Sequence, residues 1–139
     1  MTEQALSYVE THFSRFVEEL KDLLRIPSIS TDPDYAPEVR RAADWLAEHF
    51  RKLGFPKVEV FETEGHPIVY AEYTVDATRP TVLVYGHYDV QPPDPLELWT
   101  SPPFEPEIRD GNLYARGACD DKGQLFMHVK AAEAYLKTA

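Results

Sequence analysis

Hydrophobic residues recur along the first fifty positions at the three- and four-residue spacing of helices that lie on a core. Leu6, Val9, Phe13, Phe16, Val17, Leu20, Leu23 and Leu24 predict an amphipathic helix over roughly residues 4–25, stopped by Pro27. The stretch IPSISTDPDYAP, rich in Pro, Ser and Asp, predicts a loop. Pro37 suits the first turn of a second helix, which buries Val39, Ala42, Ala43, Leu46, Phe50 and Leu53 and closes at Gly54. From residue 57 the period changes to two, and KVEVFET, PIVYAEY and TVLVYGHYD predict three strands. The third begins with a continuous apolar run over 81–85, as expected of a central strand buried on both faces.

Residues 91–106 are Pro-rich and predict a long irregular segment, a kind of connection that usually borders a site. Asp110-Gly111 between EIR and NLY predicts a tight hairpin, because a type I′ turn needs positive φ at both central residues. Asp121 followed by Gln124 predicts an N-capped last helix, with Leu125, Val129, Ala132 and Leu136 as its buried stripe. The order of elements predicts an α/β fold over residues 1–139, with helices packed on a mixed sheet.

Composition narrows the partners. A hydrophobic content of 43% in 139 residues is enough for one packed core. The net charge of −10, from 24 acidic and 14 basic side chains with no long like-charge run, argues against a nucleic-acid partner. Most of those acids are expected on a solvated surface. Cys119 is the sole cysteine, so no internal disulfide can form and a reducing compartment is expected. The opening MTEQALSYVETHF lacks the basic start and apolar block of a signal peptide, and a cytoplasmic location is expected. No apolar run approaches the roughly 18 residues that cross a bilayer, so no membrane span is expected.

Two places combine ligand-type side chains with backbone that exposes them. In GHYDVQP, His87 and Asp89 follow the apolar strand and stand two residues apart, so in extended chain they face one side. A neutral imidazole backed by a carboxylate is the usual arrangement for a metal-bound histidine, making His87 a candidate ligand and Asp89 its orienting partner. Taken alone, the pair is better explained by a hydrogen-bonded strand-end histidine and an Asx turn. In RGACDDKG, two adjacent carboxylates precede a helix, and like charges side by side need an offset such as a divalent cation. Asp121 has a structural role as N-cap, which leaves Asp120 as the candidate ligand. His12, His49 and His128 fall on helices and are expected at surfaces or interfaces, and His66 in a turn is expected to be solvent-exposed. Cys119, with no partner for thiol chemistry, is expected to be a small buried residue.

LLRIPSIS, GHYDVQPPDPLELWTSPPFEP and EIRDGNLYARGACDDKG, in that order and approximate spacing, resemble the zinc metallopeptidase family of carnosinase and related dipeptidases, aminoacylase, acetylornithine deacetylase and succinyl-diaminopimelate desuccinylase. The resemblance runs over essentially the whole chain, and DVQP and WTSPPFEP are most like the dipeptidase branch. It implies that His87 binds one zinc, that Asp120 bridges two, and that Asp89 orients the ligand or the base. It also implies a cis peptide between Asp120 and Asp121. The activity implied is hydrolysis of an amide in a dipeptide or N-acyl amino acid, by a water acidified between two zinc ions and deprotonated by a glutamate. The family's Glu-Glu pair, which holds that base and a ligand, follows the Asp-Asp-Lys-Gly motif; the only acid after Asp121 here is Glu133. The chain is therefore expected to be the amino-terminal part of the catalytic domain, without the lid and dimerisation domain, binding zinc weakly and inactive by itself. Two alternatives stay open: a non-enzymatic α/β module that recognises peptides through residues 91–106, and a small-metabolite deacylase of the same family. Self-association through an exposed sheet edge is also expected.

Overall fold

A computed structural model describes residues 2–139. Three helices carry the core: α1 (Thr2–Leu24), α2 (Ala36–Leu53) and α3 (Lys122–Thr138). Pro37 sits in the first turn of α2, and Gly54 ends it at φ 94° with its N–H on the Arg51 and Phe50 carbonyls. Strands β1 (Lys57–Phe61) and β2 (Ile68–Glu72) form one antiparallel pair, and β3 (Glu107–Arg109) and β4 (Asn112–Tyr114) another. Asp110 at φ 50° and Gly111 at φ 78° form the turn between β3 and β4, as the Asp-Gly dipeptide requires.

The core gathers where the three helices meet. Leu23 and Ile26 at the end of α1, Ala42 and Leu46 on α2, and Phe126 and Val129 on α3 are buried together, with Trp45, Phe50, Val69 and Tyr88 packed around them. Leu23 is fully buried, and truncating such a side chain to Ala costs about 2–5 kcal/mol. The expected stripe on α1 holds only in part. Ala5, Phe16, Leu23 and Leu24 are buried, whereas Leu6 and Phe13 are exposed. The first half of α1 meets α3 through a polar face, Tyr8 and Arg15 reaching Glu133, and this turns Leu6 and Phe13 outward.

The helices pack with β structure, as the α/β pattern predicts, but the third expected strand does not form. Among the described residues the segment 81–89 has no place in either sheet, and Val82, Leu83 and Tyr85 are 83%, 87% and 87% exposed. A strand exists only where a neighbour completes its hydrogen-bond ladder, and an apolar run suited to the middle of a sheet finds none here. The expected mixed sheet is therefore reduced to two antiparallel hairpins and one parallel bridge, Ile29 with Val90. Residues 91–106 are irregular apart from a short 3-10 turn over Leu96–Leu98. They are packed nonetheless: the Trp99 indole donates to the Pro93 carbonyl (2.7 Å), and the Arg116 guanidinium lies 5.3 Å from the Trp99 ring centre. Together with Ile29 and Tyr35 they border a groove of about 330 Å³. No helix is long and apolar enough to cross a membrane among the described residues.

Candidate metal centre

His87 stands where the unpaired segment turns into the core. Its backbone N–H donates to Asp121 Oδ2 at 3.0 Å. Asp121 does occupy the N-cap position of α3, but its side chain makes no capping bond there. The expected cap is thus replaced by a tie between the start of α3 and His87. A backbone N–H that has lost its strand partner needs an acceptor, and the Asp121 carboxylate supplies it.

The His87 ring is held at both nitrogens. Nδ1 lies 3.0 Å from Asp89 Oδ1 and 3.2 Å from the Asp89 carbonyl, and Nε2 lies 3.0 Å from Asp120 Oδ1. Burial alone would lower the imidazole pKa, but the two carboxylates outweigh it and raise it above the usual value. The Asp120 carboxylate is 83% exposed and so open to a ligand from solvent. The other Asp89 oxygen, Oδ2, accepts from the Ser30 hydroxyl at 2.5 Å. His87, Asp89 and Asp120, singled out in the sequence, are therefore in one constellation.

The turn that presents Asp120 is wound tightly. The Asp120–Asp121 peptide is cis. Gly117 has φ 83°, and a Cβ there would lie 2.7 Å from Val90 Cγ1; a Cβ on Gly123 would lie 2.1 Å from the Ala118 carbonyl oxygen. Lys122, at 0% exposure, donates from Nζ to the Leu23 and Ile26 carbonyls at 3.0 and 2.6 Å, and burial pulls its pKa down to about 7. Cys119 is exposed instead of buried, since the turn directs this side chain outward with that of Asp120.

A divalent ion suits the pair His87 and Asp120. Two ligands on one tetrahedral zinc, each within about 2.0–2.2 Å of it, stand roughly 3.3 Å apart, close to the 3.0 Å between Nε2 and Oδ1. With Nδ1–H directed at Asp89, Nε2 is the nitrogen that would face a bound ion.

A second cluster of ligand-type groups lies elsewhere. Ligand atoms of Glu19, His49 and Glu133 are within 4.8 Å of one another. Their centre is already occupied by the Lys130 ammonium, whose Nζ lies 2.5 Å from Glu19 Oε2, 2.8 Å from His49 Nε2 and 2.7 Å from Glu133 Oε2. Arg15 Nη2 completes the set at 2.5 Å from Glu133 Oε1. Burial raises the Glu133 pKa, yet Arg15 and Lys130 overcome that and hold it near 2. Burial and the adjacent ammonium lower His49 to about 4, so it stays neutral and accepts from Lys130. His49 is an interface histidine as expected, stacked on Trp45 at 4.8 Å. His66 differs from expectation: it is half-buried, its Nε2–H donating to the Ser30 carbonyl at 2.9 Å. Ser30 carries no local sequence signal, because its partners lie 36 and 59 residues away, and the Lys130 cluster carries only the local spacings Lys130–Glu133 and Arg15–Glu19, its contacts with His49 and between Arg15 and Glu133 spanning 81 and 118 residues.

The segment that contains His87, Asp89 and Asp120 coincides with the match to the model of peptidase family M20/M25/M40, over residues 83–139. The chain belongs to this family. It is 37% identical over 131 residues to a Cys-Gly metallodipeptidase of Schizosaccharomyces pombe, covering 86% of this chain and 27% of that protein. It is 42% identical over 100 residues to a succinyl-diaminopimelate desuccinylase of Dechloromonas aromatica, covering 72% of this chain and 26% of that enzyme. The crystal structure of human carnosine dipeptidase 1 superposes with a TM-score of 0.86 at 30% identity, over 100% of this chain and 32% of that one. The chain thus spans about a quarter to a third of the relatives it matches.

Proposed function

We propose that this chain contributes the amino-terminal portion of a zinc site in an M20 hydrolase that cleaves the amide bond of dipeptides or N-acyl amino acids. The observation that carries the proposal is the His87 ring, fixed at 3.0 Å by Asp89 on one nitrogen and 3.0 Å from Asp120 on the other. His87 would hold one zinc through Nε2, Asp120 would bridge two through its exposed carboxylate, and Asp89 would fix the ring. Bound zinc acidifies water and polarises an amide carbonyl. The chain's own residues orient and charge-balance that centre. The only acid after Asp121 is Glu133, buried and committed to Arg15 and Lys130, so it is no general base.

Zinc titration of the 139-residue chain tests this. Binding is expected to be weak, to perturb the His87 ring, and to vanish in His87→Ala and Asp120→Asn; hydrolysis of Cys-Gly or carnosine should stay at background. Indifference of the His87 ring to millimolar zinc would defeat the assignment, and peptide hydrolysis by the chain would show that the base has been misplaced. A small-metabolite deacylase is the second reading, favoured by the 42% identity to the desuccinylase. Succinyl-diaminopimelate and dipeptide assays on a chain of full family length separate the two. A module that merely binds peptides at the Pro-lined groove would not require His87 and Asp120 to face each other.

The proposal extends to self-association through residues 82–85, where three large apolar side chains are more than four-fifths exposed. Leu83→Glu should shift the sedimentation profile toward monomer. An unchanged profile would remove that segment from consideration.

A further inference from the structure

LLRIPSIS carries part of the family resemblance, and the structure gives its two serines different work. Ser28 is fully buried, and it pins backbone: its hydroxyl donates to the Tyr88 carbonyl at 2.6 Å and its carbonyl accepts from the Val90 N–H at 2.9 Å. Ser30 instead touches a side chain of the site, donating to Asp89 Oδ2 at 2.5 Å. Its own carbonyl is held by the His66 ring at 2.9 Å. Backbone on either side of Asp89 is thus clamped by Ser28, while the last free torsion of the carboxylate is settled by Ser30. That torsion is broad and roughly two-fold for an aspartate, so backbone clamping alone leaves Oδ1 free to swing away from His87 Nδ1.

We infer that Ser30 is a positioning residue for the His87 imidazole, acting through the Asp89 carboxylate. This rests on the metal-site proposal for its functional meaning but not for its geometry. The hydroxyl holds Oδ2, Oδ1 therefore faces Nδ1–H, and the ring keeps the tautomer and tilt that aim Nε2 at Asp120. Partners of this outer kind typically change metal affinity by about 10–100-fold when removed. Ser30 is one bond further out, so the lower end of that range is expected.

The test uses the 139-residue chain labelled with nitrogen-15, with the His87 ring followed by long-range proton–nitrogen correlation and zinc affinity by titration. Ser30→Thr keeps the hydroxyl and Ser30→Val removes it at nearly constant shape. The threonine variant is expected to retain the wild-type ring signature, with a proton held at Nδ1. The valine variant should lose it to tautomer averaging and bind zinc roughly tenfold more weakly. Ser28→Ala should lower the melting temperature and leave the ring signature in place. Should Ser30→Val fold poorly, Ser30→Ala repeats the comparison. The inference is overturned if the hydroxyl-free variant shows the wild-type ring signature, or if Ser28→Ala disturbs the ring as much. A wild-type ring untouched by zinc would instead refute the metal-site proposal, and the serine comparison would still be decided by the signature alone.

Discussion

Two corners of this molecule bring imidazole and carboxylates together, and they differ in the source of the positive charge. Between α1, α2 and α3, Glu19, His49 and Glu133 surround the Lys130 ammonium, a cation built into the chain. At the start of α3, His87 and Asp120 face each other with no lysine or arginine between them, and Asp120 lies open to solvent. By proximity alone the first corner is the better metal site, having three ligand-type groups where the second has two. Its chemistry excludes that role, since four of its groups already neutralise one another: Arg15 and Lys130 against Glu19 and Glu133. The comparison teaches that a ligand cluster indicates a metal only after internal cations have been counted.

Removing the internal cation should have the largest effect. Lys130→Met leaves Glu133, 2% exposed, and Glu19 beside it without their shared partner, and a loss of about 3–5 kcal/mol in urea unfolding is expected. Zinc should then raise the melting temperature of the variant by more than that of the wild type, since Glu19 Oε2, His49 Nε2 and Glu133 Oε2 have lost the ammonium they shared. A loss below about 1 kcal/mol would mean that Arg15 alone sustains the corner.

Acid should act on the same corner. Glu133 titrates near 2 in the folded chain and near its ordinary value when unfolded, so its contribution is complete above about 4.3. It is lost as pH falls from there toward 2, because the unfolded chain takes up the proton first. Melting temperatures across that window should fall less steeply in Glu133→Gln than in the wild type. Equal slopes would assign the acid sensitivity to other carboxylates. The smallest effect belongs to the exposed corner: Asp120→Asn should change stability by no more than about 0.5 kcal/mol while abolishing the response to zinc. A large destabilisation would make Asp120 a structural residue.

Much of this was legible in local pattern. The periodicity of α2 names its buried residues Val39 to Leu46, and Asp110-Gly111 names its own turn, because both depend on neighbours within a few positions. His87 and Asp89 could be paired from spacing two, and they do meet. The failures share one cause, which is dependence on distant partners. Residues 81–85 read as a central strand, but a strand needs neighbours that apolarity does not supply. Asp121 read as a side-chain cap, and the unpaired His87 N–H claimed it instead. Leu6 and Phe13 read as core because Tyr8 and Arg15 gave no sign of turning toward Glu133, 125 and 118 residues further on. Ser30, and the approach of Lys130 to Glu19 and His49, were invisible for the same reason.

Lys122 links the loop that bears Asp120 to the far end of α1 across 99 and 96 residues of chain. Its ammonium sits on carbonyls left over where that helix runs out, so the loop cannot open without exposing them. Amide deuterium uptake at Asp120 to Gly123 should therefore follow the slow opening of the helical core and not the fast fraying typical of a surface loop.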